Sequence, residues 1–329
     1  QRKMTNQNNA IKFHSGEQIP VELHKVRIVQ KLFLKPVEER KAAMEKAGFN
    51  TFLLSTKDIF LDMLTDSGTN AMSDNQVSSM LQADDAYAGS QSFYRMEEAL
   101  RDVFGKHYVL PAHQGRAAEN IVSQVFIKKG DVIPMNYHFT TTKEHMELNG
   151  GKVLEIYADD ALQIKSDKPF KGNIDIDKLK NVFQKYGKEK VAFVRMEAST
   201  NLIGGQPFSM QNMRDVKAIC EENDTMMVLD ASLIGENAYF IKEREEEFKN
   251  ASIKDILLEM CSYSELIYFS SRKVSSTRGG GIVTDSEDLY LKMRDLLVLY
   301  EGFLTYGGMS VREIEAMAVG INEIGRAHV

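Results

Sequence analysis

The sequence predicts an α/β fold built on a mainly parallel sheet with helices on both faces. Two patterns carry this reading. Short apolar runs at residues 107–110, 190–195, 226–229 and 266–269 each give way to polar or small residues. Segments with helical spacing, at 93–104, 114–126, 210–222 and 252–263, lie between them. Strands buried on both faces read as brief continuous apolar runs, and parallel pairing needs a crossover that a helix supplies. With 329 residues, 43% of them hydrophobic, the chain can bury a large core without disulfides or structural metals.

Composition narrows the function classes. Forty-one basic residues against 47 acidic ones give a net charge of −6, which argues against nucleic acid as a main partner. No apolar run reaches the roughly 18–20 residues of a membrane span, and the polar start does not read as a signal peptide. Cys220 and Cys261 make neither a disulfide framework nor a metal-ligand cluster, so a reducing cytoplasm is the expected setting.

Taken in order, residues 1–36 read as an N-terminal arm, polar at first and without periodicity, that orders only against another surface. Residues 37–47 have helical spacing and stop at Gly48 and Asn50. The apolar stretch 59–64 then enters Thr65-Asp66-Ser67-Gly68-Thr69, a loop rich in side-chain oxygens. The charge run 242–247 reads as a solvated helix face. After a helical stretch at 314–320, the last seven residues, 323–329, match the in-frame translation of a common sequencing adapter, so His328 is given no role.

Ligands of such sheets bind beyond the carboxyl ends of the strands, and three of these ends carry suggestive groups. Asp230 closes the run MMVLD, where an acid meets a ligand cation or caps the next helix. Ser270-Ser271-Arg272-Lys273 follows LIYF and precedes Gly279-Gly280-Gly281. A lysine desolvated there becomes nucleophilic toward a carbonyl; the alternative is a surface lysine in a loop. His113-Gln114-Gly115-Arg116 joins a strand to a helix, where free N–H groups and a glycine suit a phosphate, or make a plain junction. One ligand has all three matching groups, an aldehyde, a phosphate and a protonated ring nitrogen: pyridoxal 5′-phosphate. The order of phosphate loop, Asp and Lys suits the large domain of the aspartate-aminotransferase type, fold type I.

Longer segments add a resemblance. LTDSGTNAMSDNQ from Leu64, DDAYAGSQSFY from Asp84, PAHQGRAAEN from Pro111 and HFTTTKEH from His138 resemble the β-eliminating lyases. NLIGGQP from Asn201, ENAYFIKE from Glu236 and YEGFLTYGG from Tyr300 extend the likeness over residues 37–322. The resemblance implies residues 37–64 as the start of a small domain, 65–322 as the cofactor-binding large domain, and a homotetramer with shared active sites.

It implies also that Lys273 joins the cofactor covalently and later takes the substrate α-proton, while Asp230 keeps the ring nitrogen protonated. Gln114, Gly115, Arg116 and Ser270 would hold the phosphate. Phe139 would stack on the ring, Asn201 would meet the ring oxygen and the substrate carboxylate, and Thr65 would lie at that carboxylate. Tyr87 would act across a subunit boundary as the acid protonating the leaving aromatic ring. Without the resemblance, Phe139 reads as core, Thr65 and Asn201 as loop caps and Tyr87 as an interface ring. The implied reaction is β-elimination of an aromatic amino acid. Thr140 favours the branch that converts tyrosine to phenol, pyruvate and ammonium. The alternatives are the tryptophan-to-indole branch and a non-catalytic relative.

Departures are specific. Leu233 stands where the family carries an arginine at the cofactor's phenolic oxygen, and its loss should raise the pKa of the lysine–cofactor link. Arg272 replaces a lysine, and Val274 an aspartate. A potassium site would use the carbonyls of Gly68 and Arg278 with Asp85, one methylene shorter than the usual glutamate. The family's C-terminal segment, with its carboxylate-clamping arginine, has no counterpart here, so a chain ending at Val329 is expected to bind the cofactor poorly and to be inactive.

Overall fold

The computed structural model describes residues 10–20, 31–62 and 71–324. The chain separates into two compact units, Gln1–Thr65 and Asp66–Val329. In the first, β1 (Ala10–Lys12) and β2 (Gln18–Pro20) form an antiparallel hairpin with Ile11 opposite Ile19. Residues 1–9 and 21–30 of the segment read as an arm lie outside the described residues. Gly16, at φ +86°, makes the reversal, and Phe13 N–H donates to Glu17 O at 2.8 Å. Helix α1 (Val37–Lys46) follows Pro36, with Glu38 and Glu39 in its first turn and Lys46 in its last, the arrangement that complements the helix dipole.

The second unit holds the sheet. Along the chain come α2 (Asp74–Ser79), α3 (Gln91–Phe104), β3 (Tyr108–Ala112), α4 (Gly115–Phe126), β4 (Val132–Met135), α5 (Thr140–Leu148), β5 (Lys152–Glu155) and α6 (Ile176–Tyr186). Then follow β6 (Val194–Glu197), α7 (Met210–Glu222), β7 (Met227–Asp230), α8 (Ile234–Arg244), α9 (Ile253–Ser262), β8 (Leu266–Ser270), α10 (Ser271–Val274), β9 (Gly280–Thr284), α11 (Glu287–Tyr300) and α12 (Val311–Ile324). The seven strands lie in the order β3-β9-β8-β7-β6-β4-β5. Only β9 runs against the others, paired antiparallel to β8 and β3.

Strand side chains alternate between two cores. Met227 and Leu229 of β7 join Ile267 and Phe269 of β8 on one face, while Val228, Leu266 and Tyr268 pack into the other. A sheet buried on both sides explains why these strands carry no polar alternation. Helix α3 is capped by Ser90, whose hydroxyl accepts from Phe93 N–H, and ends at left-handed Gly105. Its buried stripe of Phe93, Met96, Leu100 and Val103 shares one core with Ile314, Met317 and Ile321 of α12. Arg95 and Glu315 tie the two helices with a bidentate pair, the shortest contact being 2.7 Å.

Besides β1 and β2, three strands of the large sheet escaped the sequence reading: β4 contains Pro134, β5 is a half-exposed edge, and β9 begins with two glycines. The charge run at 242–247 is likewise not one solvated face. Helix α8 stops at Arg244, and Glu245 turns back to accept from Met210 N–H at 2.8 Å at the start of α7. Glu247 pairs with Arg214. At the chain's end Glu323 belongs to α12, and its carboxylate accepts from Ser73 Oγ at 2.8 Å. Residues 325–329 lie outside the described residues.

Candidate active site

The carboxyl ends of β3, β6, β7 and β8 converge on one edge of the sheet, where β9 begins. Gln114 precedes α4 with no side-chain cap, which leaves the first N–H groups of a twelve-residue helix directed at this edge. Gly115 is packed so closely on the end of β8 that a methyl group in place of its hydrogen would lie 2.8 Å from Ser270 Cβ and 3.0 Å from Ser270 Cα. Only a residue without a side chain fits there. Gln114 also bridges Gly279, and Ser271 N–H donates to Gly279 O at 2.9 Å. Gln114, Gly115 and Ser270 are thereby drawn into one cradle, while Arg116, the next residue of α4, is exposed.

Beside the cradle, α10 is one short turn carrying Arg272 and Lys273, both half-buried. Arg272 Nε is buried and has no hydrogen-bond partner. Lys273 Nζ lies 6.0 Å from the centre of the ring of Phe139, the residue just before α5. Lys273 also lines a cavity of about 480 Å³, together with Gly235, Tyr239 and Phe240 of α8 and Gln76 of α2.

Asp230, the last residue of β7, is 4% exposed. Its Oδ1 accepts from Ser232 N–H at 3.0 Å, and Ser232 Oγ in turn accepts from Ser270 N–H at 3.1 Å, which links the β7 end to the cradle. Its Oδ2 accepts from Arg195 at 2.7 Å. Sequence reasoning missed Arg195. It sits within an apolar strand, VAFVRME, whose only signal was a cation where burial was expected. Arg195 is fully buried, and the same amino group donates to Glu197 Oε2 at 2.9 Å. Glu197 Oε1 accepts from Asn201 N–H at 2.9 Å, at the turn that follows β6. Burial pushes the Glu197 carboxyl up to about 7, against the pull of Arg195 and with the push of Asp230.

The other sequence-predicted residues are more scattered. Thr140 opens α5 and is exposed, as are Asp85 and Arg278. Leu233 is half-buried just before α8. Tyr87 is 76% exposed and lies tilted against Phe303 and edge-on to Tyr306, each at 5.7 Å between ring centres. Its hydrogen bond to Tyr306 pushes the phenol above its ordinary 10. Thr65 and Gly68 lie outside the described residues. Among the described residues no three His, Cys, Asp or Glu side chains gather into a metal site.

Comparison with known proteins bears on this arrangement. The sequence model of the Beta-eliminating lyase family matches residues 62–328. The chain belongs to the beta-eliminating lyase family. It is 46% identical over 305 residues to tyrosine phenol-lyase of Pasteurella multocida (strain Pm70), covering 92% of this chain and 67% of that protein. It is 43% identical to tyrosine phenol-lyase of Symbiobacterium sp. (strain SC-1), covering 92% of this chain and 66% of that protein. The chain thus spans about two thirds of the length of these lyases. Among solved structures, serine palmitoyltransferase of Sphingomonas wittichii superposes with a TM-score of 0.57 at 13% identity, covering 89% of this chain and 71% of that one. The lyase chain therefore has the fold of the pyridoxal-phosphate-dependent transferases, fold type I, with the mainly parallel sheet the sequence predicted.

Proposed function

We propose that the protein is a pyridoxal 5′-phosphate-dependent carbon–carbon lyase that converts L-tyrosine and water to phenol, pyruvate and ammonium. The observation that carries the reading is the convergence of Lys273, Asp230 and the Gly115–Ser270 cradle on one sheet edge. The residues suit the cofactor. The start of α4 has no side-chain cap, and the buried, unpartnered Nε of Arg272 near it is a donor in want of an anion. The aromatic face of Phe139 lies within reach of Lys273.

When bound, pyridoxal phosphate supplies an electron-withdrawing ring that eases loss of the α-proton from a bound amino acid. The chain's own residues do the rest. The N–H groups that open α4, with Ser270, Arg116 and Arg272, hold the phosphate. Asp230 keeps a proton on the ring nitrogen. Phe139 would cover the ring and Asn201 would meet its oxygen and the substrate carboxylate; Thr65, assigned to that carboxylate by the family resemblance, is outside the described residues. Lys273 Nζ is the amine that would hold the cofactor aldehyde, and the base that would accept the α-proton. Tyr87 Oη, from the neighbouring copy of a homotetramer, is the group that would deliver a proton to the ring carbon of the departing phenol. Thr140 stands at the leaving ring. A potassium ion held by Gly68, Asp85 and Arg278, and a cytoplasmic location, complete the proposal.

Borohydride reduction of the pyridoxal phosphate-loaded protein, followed by peptide mass mapping, tests it. The label is expected on Lys273 and absent from Lys273→Ala. A label elsewhere, or none, overturns the reading.

A further inference from the structure

We propose that Arg195 is a positioning residue for the cofactor ring, one buried guanidinium that aims both Asp230 and the Asn201 turn. Five observations support this. The guanidinium is fully enclosed, and its donors are all directed at named partners. Nε donates to Tyr268 Oη at 2.6 Å, and one terminal nitrogen donates to Tyr137 O at 3.3 Å. The other terminal nitrogen reaches Asp230 at 2.7 Å and Glu197 at 2.9 Å, with Thr142 Oγ1 at 3.4 Å. Glu197 passes the constraint on to Asn201 N–H through its second oxygen. Finally, β6 and β7 pair with Glu197 directly beside Asp230, so one cation can bridge two adjacent carboxylates.

Chemistry gives this bridge a consequence. Asp230 is nearly enclosed, and two buried acids side by side oppose each other's ionisation. A cation shared between them offsets that opposition and fixes the orientation of Asp230, with Oδ2 held by Arg195 and Oδ1 by Ser232 N–H. The carboxylate then presents its remaining lone pairs to a protonated ring nitrogen. A lysine at 195 would keep the charge and lose the planar fork that spans Tyr268 and both acids. The inference rests on the pyridoxal phosphate reading above, and on the part of it that pairs Asp230 with the ring nitrogen.

The test measures cofactor affinity, not turnover. Apoprotein of the parent and of Arg195→Lys is titrated with pyridoxal 5′-phosphate and with its 1-deaza analogue, which carries carbon in place of the ring nitrogen. Circular dichroism confirms folding. The expected result is a loss of about tenfold or more in affinity for pyridoxal phosphate. For the deaza analogue the loss should be several-fold smaller, because the route through Asp230 is missing while the route through Asn201 remains. A merely structural arginine would weaken both ligands equally, and that result overturns the inference, as does an unchanged affinity for both. If Arg195→Lys does not fold, the double variant Arg195→Met with Glu197→Met removes the cation together with one acid, and the same comparison decides. A parent protein expressed from its complete reading frame that binds neither ligand refutes the functional reading itself, an outcome separate from failure of the arginine's role.

Discussion

Gly280 offers a sharp test of how the cofactor edge is built. It pairs with Ala112 of β3 and with Ser270 of β8, at the point where the antiparallel strand enters the sheet. A methyl group at Gly280 would lie 2.6 Å from Phe269 O, 2.8 Å from Gln114 C and 2.8 Å from Gly115 N. All three are backbone atoms, so no side chain can rotate away and either β8 or the start of α4 must shift. Overpacking of this kind costs about 1–3 kcal/mol or more. Replacing glycine also restrains the unfolded chain, which returns about 0.4–1 kcal/mol. The expected net loss for Gly280→Ala is therefore about 1–2 kcal/mol, read as a lower urea midpoint with unchanged slope. Because the displaced atoms belong to Gln114 and Gly115, pyridoxal phosphate affinity should fall as well. Gly281→Ala is the control. Its nearest neighbour, Leu110 O, lies at 3.1 Å and the next two atoms belong to the Phe269 ring, so the loss should stay below about 1 kcal/mol with affinity retained. Equal stabilities for parent and Gly280→Ala, or equal affinity losses in the two variants, would refute this account of the cradle.

Two further outcomes follow from the same structure. Tyr87→Phe, in protein expressed from its complete reading frame, should keep borohydride labelling at Lys273 while phenol release falls about 10²- to 10⁴-fold; undiminished release would remove Tyr87 from the proton path. Asp84→Asn addresses stability against pH. Asp84 is partly buried, which works against its charge, but Gln91 N–H at 2.7 Å, Ser92 N–H at 2.9 Å and Ser92 Oγ at 2.8 Å hold the carboxyl at about 2 instead of 3.8. With the folded value depressed, its stabilisation is fully present above pH 3.8 and is lost as the pH falls through about 2. The melting temperature of the parent should drop across that window more steeply than that of Asp84→Asn, and parallel curves would show that the carboxylate contributes nothing.

What the sequence determined by itself was local and repetitive. The α/β class followed from brief apolar runs between helical segments, and helices such as α7 were read at the observed bounds because amphipathic spacing and a serine cap act within a few residues. The positions of Lys273, Asp230 and Gly115 were also legible, since each lies at or just past the carboxyl end of a strand. Tertiary structure alone decided the rest. β9 starts with glycines that look like a loop until Phe269 O and Gln114 occupy the space a side chain would need. Glu245 looked like one more charge on a helix surface until it reached the start of α7. Arg195 is the clearest case. Its partners lie two, 35 and 73 residues away along the chain, at Glu197, Asp230 and Tyr268, and only the pairing of β6, β7 and β8 brings them around it. A buried charge is stable only with its partners in place, and periodicity within one strand contains no information about what the neighbouring strands supply.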